Sequence, residues 1–231
     1  MFKKTFLAII PARGGSKRLP NKNILNLYGK PLIGWSIKAA KNSKYIDKVV
    51  VSSDYDKILN IAKEHNVDIL KRPNSLATDT ATTVDVLKHV LEYYNKYDYL
   101  VLLQPTSPLR NEKHIDEAIE LLEQKNADAV VSVCEMDHSP LWSNILPDDL
   151  NMSNFLREEI KNKRSQDLKK FYRLNGAIYI CKVDRFLEEN NLFLKDKIFA
   201  YIMDRKSSVD IDEEIDFKIA EILLDDKKTK Q

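Results

Sequence analysis

Phe6-Leu7-Ala8-Ile9-Ile10-Pro11-Ala12-Arg13-Gly14-Gly15-Ser16-Lys17-Arg18-Leu19-Pro20-Asn21-Lys22-Asn23 runs from an apolar segment straight into a basic loop, and an amphipathic stretch from Pro31 to Lys41 follows it. The order predicts strand, loop, helix. Adjacent glycines let backbone N–H groups approach an anion closely, and Arg13, Lys17, Arg18 and Lys22 surround them with positive charge. The loop therefore reads as a phosphate cradle, although a solvated polar turn would share much of its composition. A Walker A motif is excluded because Leu19 stands where its second glycine is required. The dinucleotide fingerprint GxGxxG fails as well, since Gly14-Gly15 has no third glycine at the right spacing.

Downstream, the hydrophobic pattern repeats the same alternation. Strands are expected at Lys48 to Ser53, Val67 to Leu70, Tyr99 to Leu103, Ala129 to Val133 and Ile198 to Met203. Helices are expected at Thr82 to Tyr94, Glu112 to Gln124, Asp184 to Glu189 and Asp212 to Leu224, with another ending near His65 and a charged tail from Asp225 to Gln231. Tyr99-Leu100-Val101-Leu102-Leu103 is apolar throughout, as a central parallel strand covered on both faces should be. The alternation predicts an α/β fold with a doubly wound, mostly parallel sheet, whose ligands lie at the carboxyl ends of the strands. Between Glu135 and Phe171 the pattern breaks, with isolated apolar residues such as Leu141, Trp142, Ile145, Leu146 and Phe155 among polar ones. We expect one domain over 1–231 with an insertion at about 135–172 that forms a subunit contact or a lid.

The 231 residues carry a formal net charge of +2, which gives no reason to expect a nucleic-acid partner. Cys134 and Cys181 sit in strand-like apolar runs and suit buried reduced thiols, hence a cytoplasmic protein. The apolar run near Met1 is too short and lacks the cleavage site of a signal peptide, and no run approaches the roughly 20 apolar residues of a membrane span. His65, His89 and His114 fall on expected helices without metal-ligand spacing.

Ser207-Ser208-Val209-Asp210-Ile211-Asp212 is the most specific acidic feature, because alternation puts Asp210 and Asp212 on one side of an extended segment. Two such carboxylates repel unless they are solvated, unless Asp212 caps the following helix, or unless a hard cation lies between them. A nucleoside triphosphate supplies both phosphates for the basic loop and a cation for the carboxylates.

Pro11-Ala12-Arg13-x-x-Ser16-Lys17, Lys22-Asn23, Arg72-Pro73, Gln104-Pro105-Thr106-Ser107-Pro108-Leu109-Arg110, Asn175-Gly176-Ala177-Ile178-Tyr179 and Asp210-Ile211-Asp212 together resemble the acylneuraminate cytidylyltransferases, the CMP-sialic acid synthetases. The resemblance runs from about Leu7 to Leu224. It implies a Rossmann-like nucleotidyltransferase fold with a small dimerisation insertion, a homodimer, and transfer of CMP from CTP to the anomeric hydroxyl of a nine-carbon 2-keto sugar acid with Mg²⁺. By this resemblance Arg13, Lys17, Lys22, Asp210 and Asp212 are the catalytic set, with Asp210 and Asp212 as metal ligands. Ala12, Arg13, Gly14, Ser16, Lys22, Asn23, Arg72, Ala81 and Thr82 would hold the nucleotide. Gln104, Arg164, Arg173, Asn175, Tyr179 and Phe193 would hold the sugar, with Arg173 on its carboxylate and His138 nearby. The sequence singles out no general base.

Three positions depart from the sialate pattern. Trp142 and Ser165 stand where the family commonly has basic residues, and the segment around Phe193 is less aromatic, which keeps N-acetylneuraminate and related nonulosonates such as legionaminate both open. Two further readings are a cytidylyltransferase for the eight-carbon acid Kdo, and a nucleotide-binding subunit without catalysis.

Overall fold

The structure, a computed structural model, describes residues 4–78 and 80–228. Asp79 and the ends of the chain lie outside them. In chain order the elements are β1 (Phe6–Pro11), a small hairpin of β2 (Asn26–Leu27) and β3 (Lys30–Pro31), α1 (Leu32–Asn42), β4 (Ile46–Ser53), α2 (Asp56–Glu64), β5 (Asp68–Lys71) and α3 (Thr83–Tyr93). Next come β6 (Tyr99–Leu102), α4 (Glu112–Gln124), β7 (Ala129–Glu135), β8 (Tyr172–Lys182), α5 (Val183–Glu189), β9 (Ile198–Met203) and α6 (Glu214–Lys228).

The main sheet has the order β5-β4-β1-β6-β8-β7-β9. Its left half is parallel, with β1 between β4 and β6. Along β1 the side chains alternate between two cores, which is why the run is apolar without interruption. Phe6, Ala8 and Ile10 face a cluster completed by α1, α2 and α4, among them Ile37, Ile58 and Ile119. Leu7 and Ile9 face the other cluster, where Leu87 and Val90 of α3 and Phe186 of α5 cover the sheet.

The expected parallel order is broken once. β8 lies between β6 and β7 and runs antiparallel to both. The reason is the connection: segment 136–171 contains only short 3-10 turns, so the chain leaves the carboxyl end of β7 and re-enters the sheet at the same end. Without a crossover helix it must reverse direction. The insertion itself exposes Ile145, Leu146, Leu150 and Met152.

α6 begins at Glu214, later than the sequence pattern suggests, and continues to Lys228 rather than stopping at Leu224. The N–H groups of Asp212 and Glu213 are taken by the Asp216 carboxylate at 3.0 and 2.8 Å. Asp212 is thereby released from the capping role that the sequence allowed. Leu27, Leu32, Leu109, Ile211, Ala220 and Leu224 pack together, so α6 is anchored to the hairpin and the Asp210 to Asp212 strip is fixed over the sheet's end. Cys134 and Cys181 are free and buried, and burial pushes the Cys181 thiol up to about 12. Among the described residues, no helix is long and apolar enough to cross a membrane.

Candidate functional site

At the carboxyl ends of β1, β4 and β6 lies an open cavity of about 610 Å³, walled by the 11–23 loop, the start of α3, the 104–106 turn and the acidic strip. Arg13, Ser16, Lys17, Lys22, Asn23, Arg72, Ala81, Thr82, Gln104, Asp210 and Asp212 all line it, although they are separated by up to 200 positions in sequence. Cations of the loop and two carboxylates therefore share one space. Arg18, Thr78, Thr83, Val86 and Thr106 join them. The signals for this second group were present in the sequence: Thr106 stands in the run after β6, and the threonines flank the start of α3.

The basic loop is held from several sides. Asn23, which the resemblance gives to the nucleotide, is buried and donates from its amide to the Arg13 carbonyl at 3.0 Å, tying the two ends of the loop together. The Gly14 N–H donates to Asp54 Oδ1 at 3.1 Å and is therefore already engaged. Gly14 owes its identity to packing, because a Cβ there would meet the Tyr55 Cβ at 2.8 Å. Gly15 has open space around its Cα. Ala12 lies in the core with its N–H on the Ser52 carbonyl at 3.0 Å, so its place is beneath the cavity floor and not in its wall.

Arg72 is almost wholly buried, donating from one terminal nitrogen to the Ser52 carbonyl at 2.7 Å and from the other to the Leu76 carbonyl at 3.3 Å. Burial lowers its pKa, Asp54 opposes that shift, and Arg13 adds to it. Thr82 lines the cavity, yet its hydroxyl and its N–H both serve the capping box with Asp85 that starts α3.

At the opposite wall, Lys22 Nζ contacts the Ile211 carbonyl at 2.5 Å and Asp212 Oδ1 at 3.2 Å, while Arg18 reaches Asp212 Oδ2 at 3.1 Å. Asp210 differs from its neighbour. Its Oδ1 is buried without a hydrogen-bond partner. Burial raises the Asp210 pKa, the Asp212 charge raises it further, and the Thr106 hydroxyl, Lys22 and Arg173 pull it back. A buried carboxylate oxygen with an open coordination position, beside a second carboxylate and facing a basic phosphate-type loop, suits a hard cation that brings phosphate oxygens with it. Among the described residues no cluster of three or more histidine, cysteine, aspartate or glutamate ligands exists.

The residues assigned to the sugar divide. Gln104 is in the cavity, with its Oε1 lying 2.7 Å from where a Gly176 Cβ would be. Gly176 has φ 72°, so both backbone and space demand glycine there. Arg173 lines a second cavity of about 710 Å³ that meets the first at Asp210. Tyr179 and Phe193 lie edge to face with ring centroids 6.2 Å apart, outside the lining of the first cavity. Burial raises the Tyr179 pKa, and the charge of Asp210 adds to that.

Asn175 lies outside the lining of both cavities. Its amide is buried, donating to Ser208 Oγ at 2.9 Å and accepting from Ser132 Oγ at 2.6 Å, so it braces β8 against the strip before Asp210 and is not offered to a ligand. Arg164 is likewise away from both cavities, exposed in the insertion and paired with Asp167 at 3.0 Å. His138 is exposed beside Asp137.

This gathering of basic loop and acidic strip in one nucleotide-sized cavity agrees with sequence comparison. The pattern of a cytidylyltransferase family matches residues 7–230. The chain belongs to the cytidylyltransferase family. It is 40% identical over 226 residues to an N-acylneuraminate cytidylyltransferase of Escherichia coli O18:K1:H7, covering 97% of this chain and 53% of that protein. The chain thus spans about half the length of that relative. A CMP-N,N'-diacetyllegionaminic acid synthase of Legionella pneumophila is 34% identical, with 95% of this chain and 96% of the relative covered. The structure of a CMP:2-keto-3-deoxy-manno-octonic acid synthetase complexed with CTP superposes with a TM-score of 0.74 over 97% of this chain and all of that one, at 16% identity. At that identity the likeness is one of fold, a cytidylyltransferase fold with a mostly parallel, Rossmann-like sheet.

Proposed function

We propose that this cytidylyltransferase transfers CMP from CTP to the anomeric hydroxyl of a nine-carbon 2-keto sugar acid, N-acetylneuraminate or a related nonulosonate such as legionaminate. The observation that carries the reading is the single cavity in which Arg13, Lys17, Arg18 and Lys22 face Asp210 and Asp212. Relatives named for N-acylneuraminate and for N,N'-diacetyllegionaminic acid support the acceptor class.

In this reading the acceptor oxygen bonds to the α-phosphorus as the α–β bridging bond breaks, the hydroxyl proton leaves to solvent, and pyrophosphate departs. Arg13, Lys17 and Lys22, with the Ser16 hydroxyl, hold the triphosphate and take up the charge that grows on the leaving pyrophosphate. Arg72, rigid between the Ser52 and Leu76 carbonyls, with the Ala81 and Thr82 backbone near it, borders the base. Asp210 and Asp212 would hold Mg²⁺, whose charge screens the α-phosphate and favours the ionised acceptor hydroxyl. Gln104 faces the acceptor, and Arg173, whose planar guanidinium matches a carboxylate, borders the neighbouring cavity. The test is pyrophosphate release from CTP and Mg²⁺ with N-acetylneuraminic, legionaminic, pseudaminic and Kdo acids. Turnover is expected with at least one nine-carbon acid, turnover with Kdo alone would move the reading to the eight-carbon class, and none with any acid would refute it.

The same proposal includes a homodimer made through segment 136–171. Its exposed Ile145, Leu146, Leu150 and Met152 support the reading, because exposed apolar side chains grouped in one segment mark a contact surface. Sedimentation at micromolar concentration is expected to give a dimer. A monomer there, or a dimer unaffected by Ile145→Asp with Met152→Asp, would overturn it.

A further inference from the structure

Arg110 is the largest fully buried side chain outside the cavity's roll of functional residues, 1% exposed at the end of the 104–110 turn. No charged neighbour acts on its guanidinium, and its Nε and one terminal nitrogen have no hydrogen-bond partner. Burial alone lowers its pKa, to about 9. An unpaired buried charge with two orphaned donors is costly, and apolar side chains of similar size commonly replace buried ions without loss of stability. A group retained at such cost calls for a role.

Its remaining nitrogen supplies one. It donates to Ser36 Oγ of α1 at 2.6 Å and lies 3.5 Å from the Gln104 carbonyl. Ser36 Oγ in turn donates to that carbonyl at 3.4 Å, and the Ser107 N–H reaches it at 3.3 Å. The Gln104 carbonyl is thus a point on which three donors converge, from α1, from the turn and from Arg110. On its other side the Gln104 amide sits over Gly176, in the space a side chain there would fill. The backbone of this cavity residue is therefore clamped, and its side chain occupies the space that only glycine at 176 leaves open.

We propose that Arg110, acting through Ser36 and the Gln104 carbonyl, is the positioning residue that holds the 104–107 turn and so aims the Gln104 amide at the acceptor end of the cavity. It touches no substrate. The kinetic consequence rests on the transferase reading above, whereas the structural one does not. Loosening this clamp should act on the acceptor more than on CTP, because Arg13, Lys17, Lys22 and Arg72, which border the nucleotide, stand on other elements.

Ser36→Ala removes the bridge and keeps the buried charge, while Arg110→Met removes the charge and keeps the volume. In both, amide hydrogen exchange over residues 104–107 is expected to speed up about tenfold while exchange in β1 and α4 is unchanged. The KM for the acceptor acid that the wild type uses should rise about fivefold, with the KM for CTP within about twofold of wild type. Arg110→Met is further expected to melt no earlier than wild type, whereas an arginine that merely supported the fold would lower melting and leave the split in KM absent. Unchanged exchange at 104–107 in Ser36→Ala overturns the proposal whether or not any acid turns over, and absence of wild-type turnover bears on the transferase reading alone.

Discussion

Asp210→Asn is expected to reduce pyrophosphate release by about three orders of magnitude while leaving the ligand-free protein as stable as wild type or more so. The two effects have one origin. Asp210 is held by the strip between the 3-10 turn Lys206–Ser208 and α6, with one carboxylate oxygen buried and unpartnered. Its folded pKa lies above the ordinary 3.8, chiefly through burial. The native state therefore binds this proton more tightly than the unfolded chain does. The group's favourable contribution is fully present below the unfolded value and is lost as pH rises through the raised folded value. Once ionised in the ligand-free protein, this carboxylate is incompletely satisfied, and an isosteric amide relieves that cost. In the working site the same ionised oxygen is what a cation would coordinate, and a loss of about 4 kcal/mol of transition-state stabilisation corresponds to the thousandfold decrease. Thermal melting of both proteins without ligand, followed from pH 4 to 7, should show the Asn variant gaining on wild type as pH rises. A variant that retains activity within tenfold would remove Asp210 from the metal site. One that loses activity and also melts earlier at neutral pH would make the carboxylate a structural group.

The contrast between Asp210 and Asn175 shows what sequence could and could not convey. Both lie in motif-like runs of polar residues beside apolar strands, and both look available. The fold was legible because each strand's burial on two faces imposes a continuous apolar run, and each helix carries its own period, so that β9 and α4 are found where the pattern puts them. The antiparallel direction of β8 was not, since strand direction depends on whether a crossover helix intervenes, and the irregular insertion gives no periodic signal. Cavity residues were legible where a strand end and a charged or amide side chain coincide, as at Arg13 and Gln104, and where alternation pairs two carboxylates, as at Asp210 and Asp212. Whether a polar group is already satisfied is a three-dimensional fact. Nothing local in the sequence says that Ser132, from β7, will take the Asn175 amide, or that Asn23 will bond the Arg13 carbonyl.

Burial also separates the loop's cations, which the sequence presents as equivalents. Lys22 is the first residue of the 3-10 turn Lys22–Ile24, follows Asn21 in a left-handed conformation, and has its side chain only 10% exposed. Its ammonium is fixed between the Ile211 carbonyl and Asp212. Arg18 shares Asp212 but has a side chain 63% exposed. A charge that is already desolvated and oriented needs little reorganisation when negative charge develops on a leaving group, whereas an exposed one is screened and must be ordered first. Lys22→Met should therefore lower kcat and kcat/KM for CTP together, by about a thousandfold, the pattern of an interaction made chiefly in the transition state. Arg18→Ala should raise the KM for CTP less than about tenfold with kcat nearly unchanged. Lys22→Arg should not rescue, because a planar guanidinium cannot occupy a slot built for one compact ammonium between a carbonyl and a carboxylate oxygen. Steady-state kinetics of the three variants against CTP, with melting temperatures as a control for folding, decides the matter. Equal effects of Lys22→Met and Arg18→Ala would mean that net charge of the loop is what counts, and that the buried position of Lys22 serves only to hold the acidic strip in place.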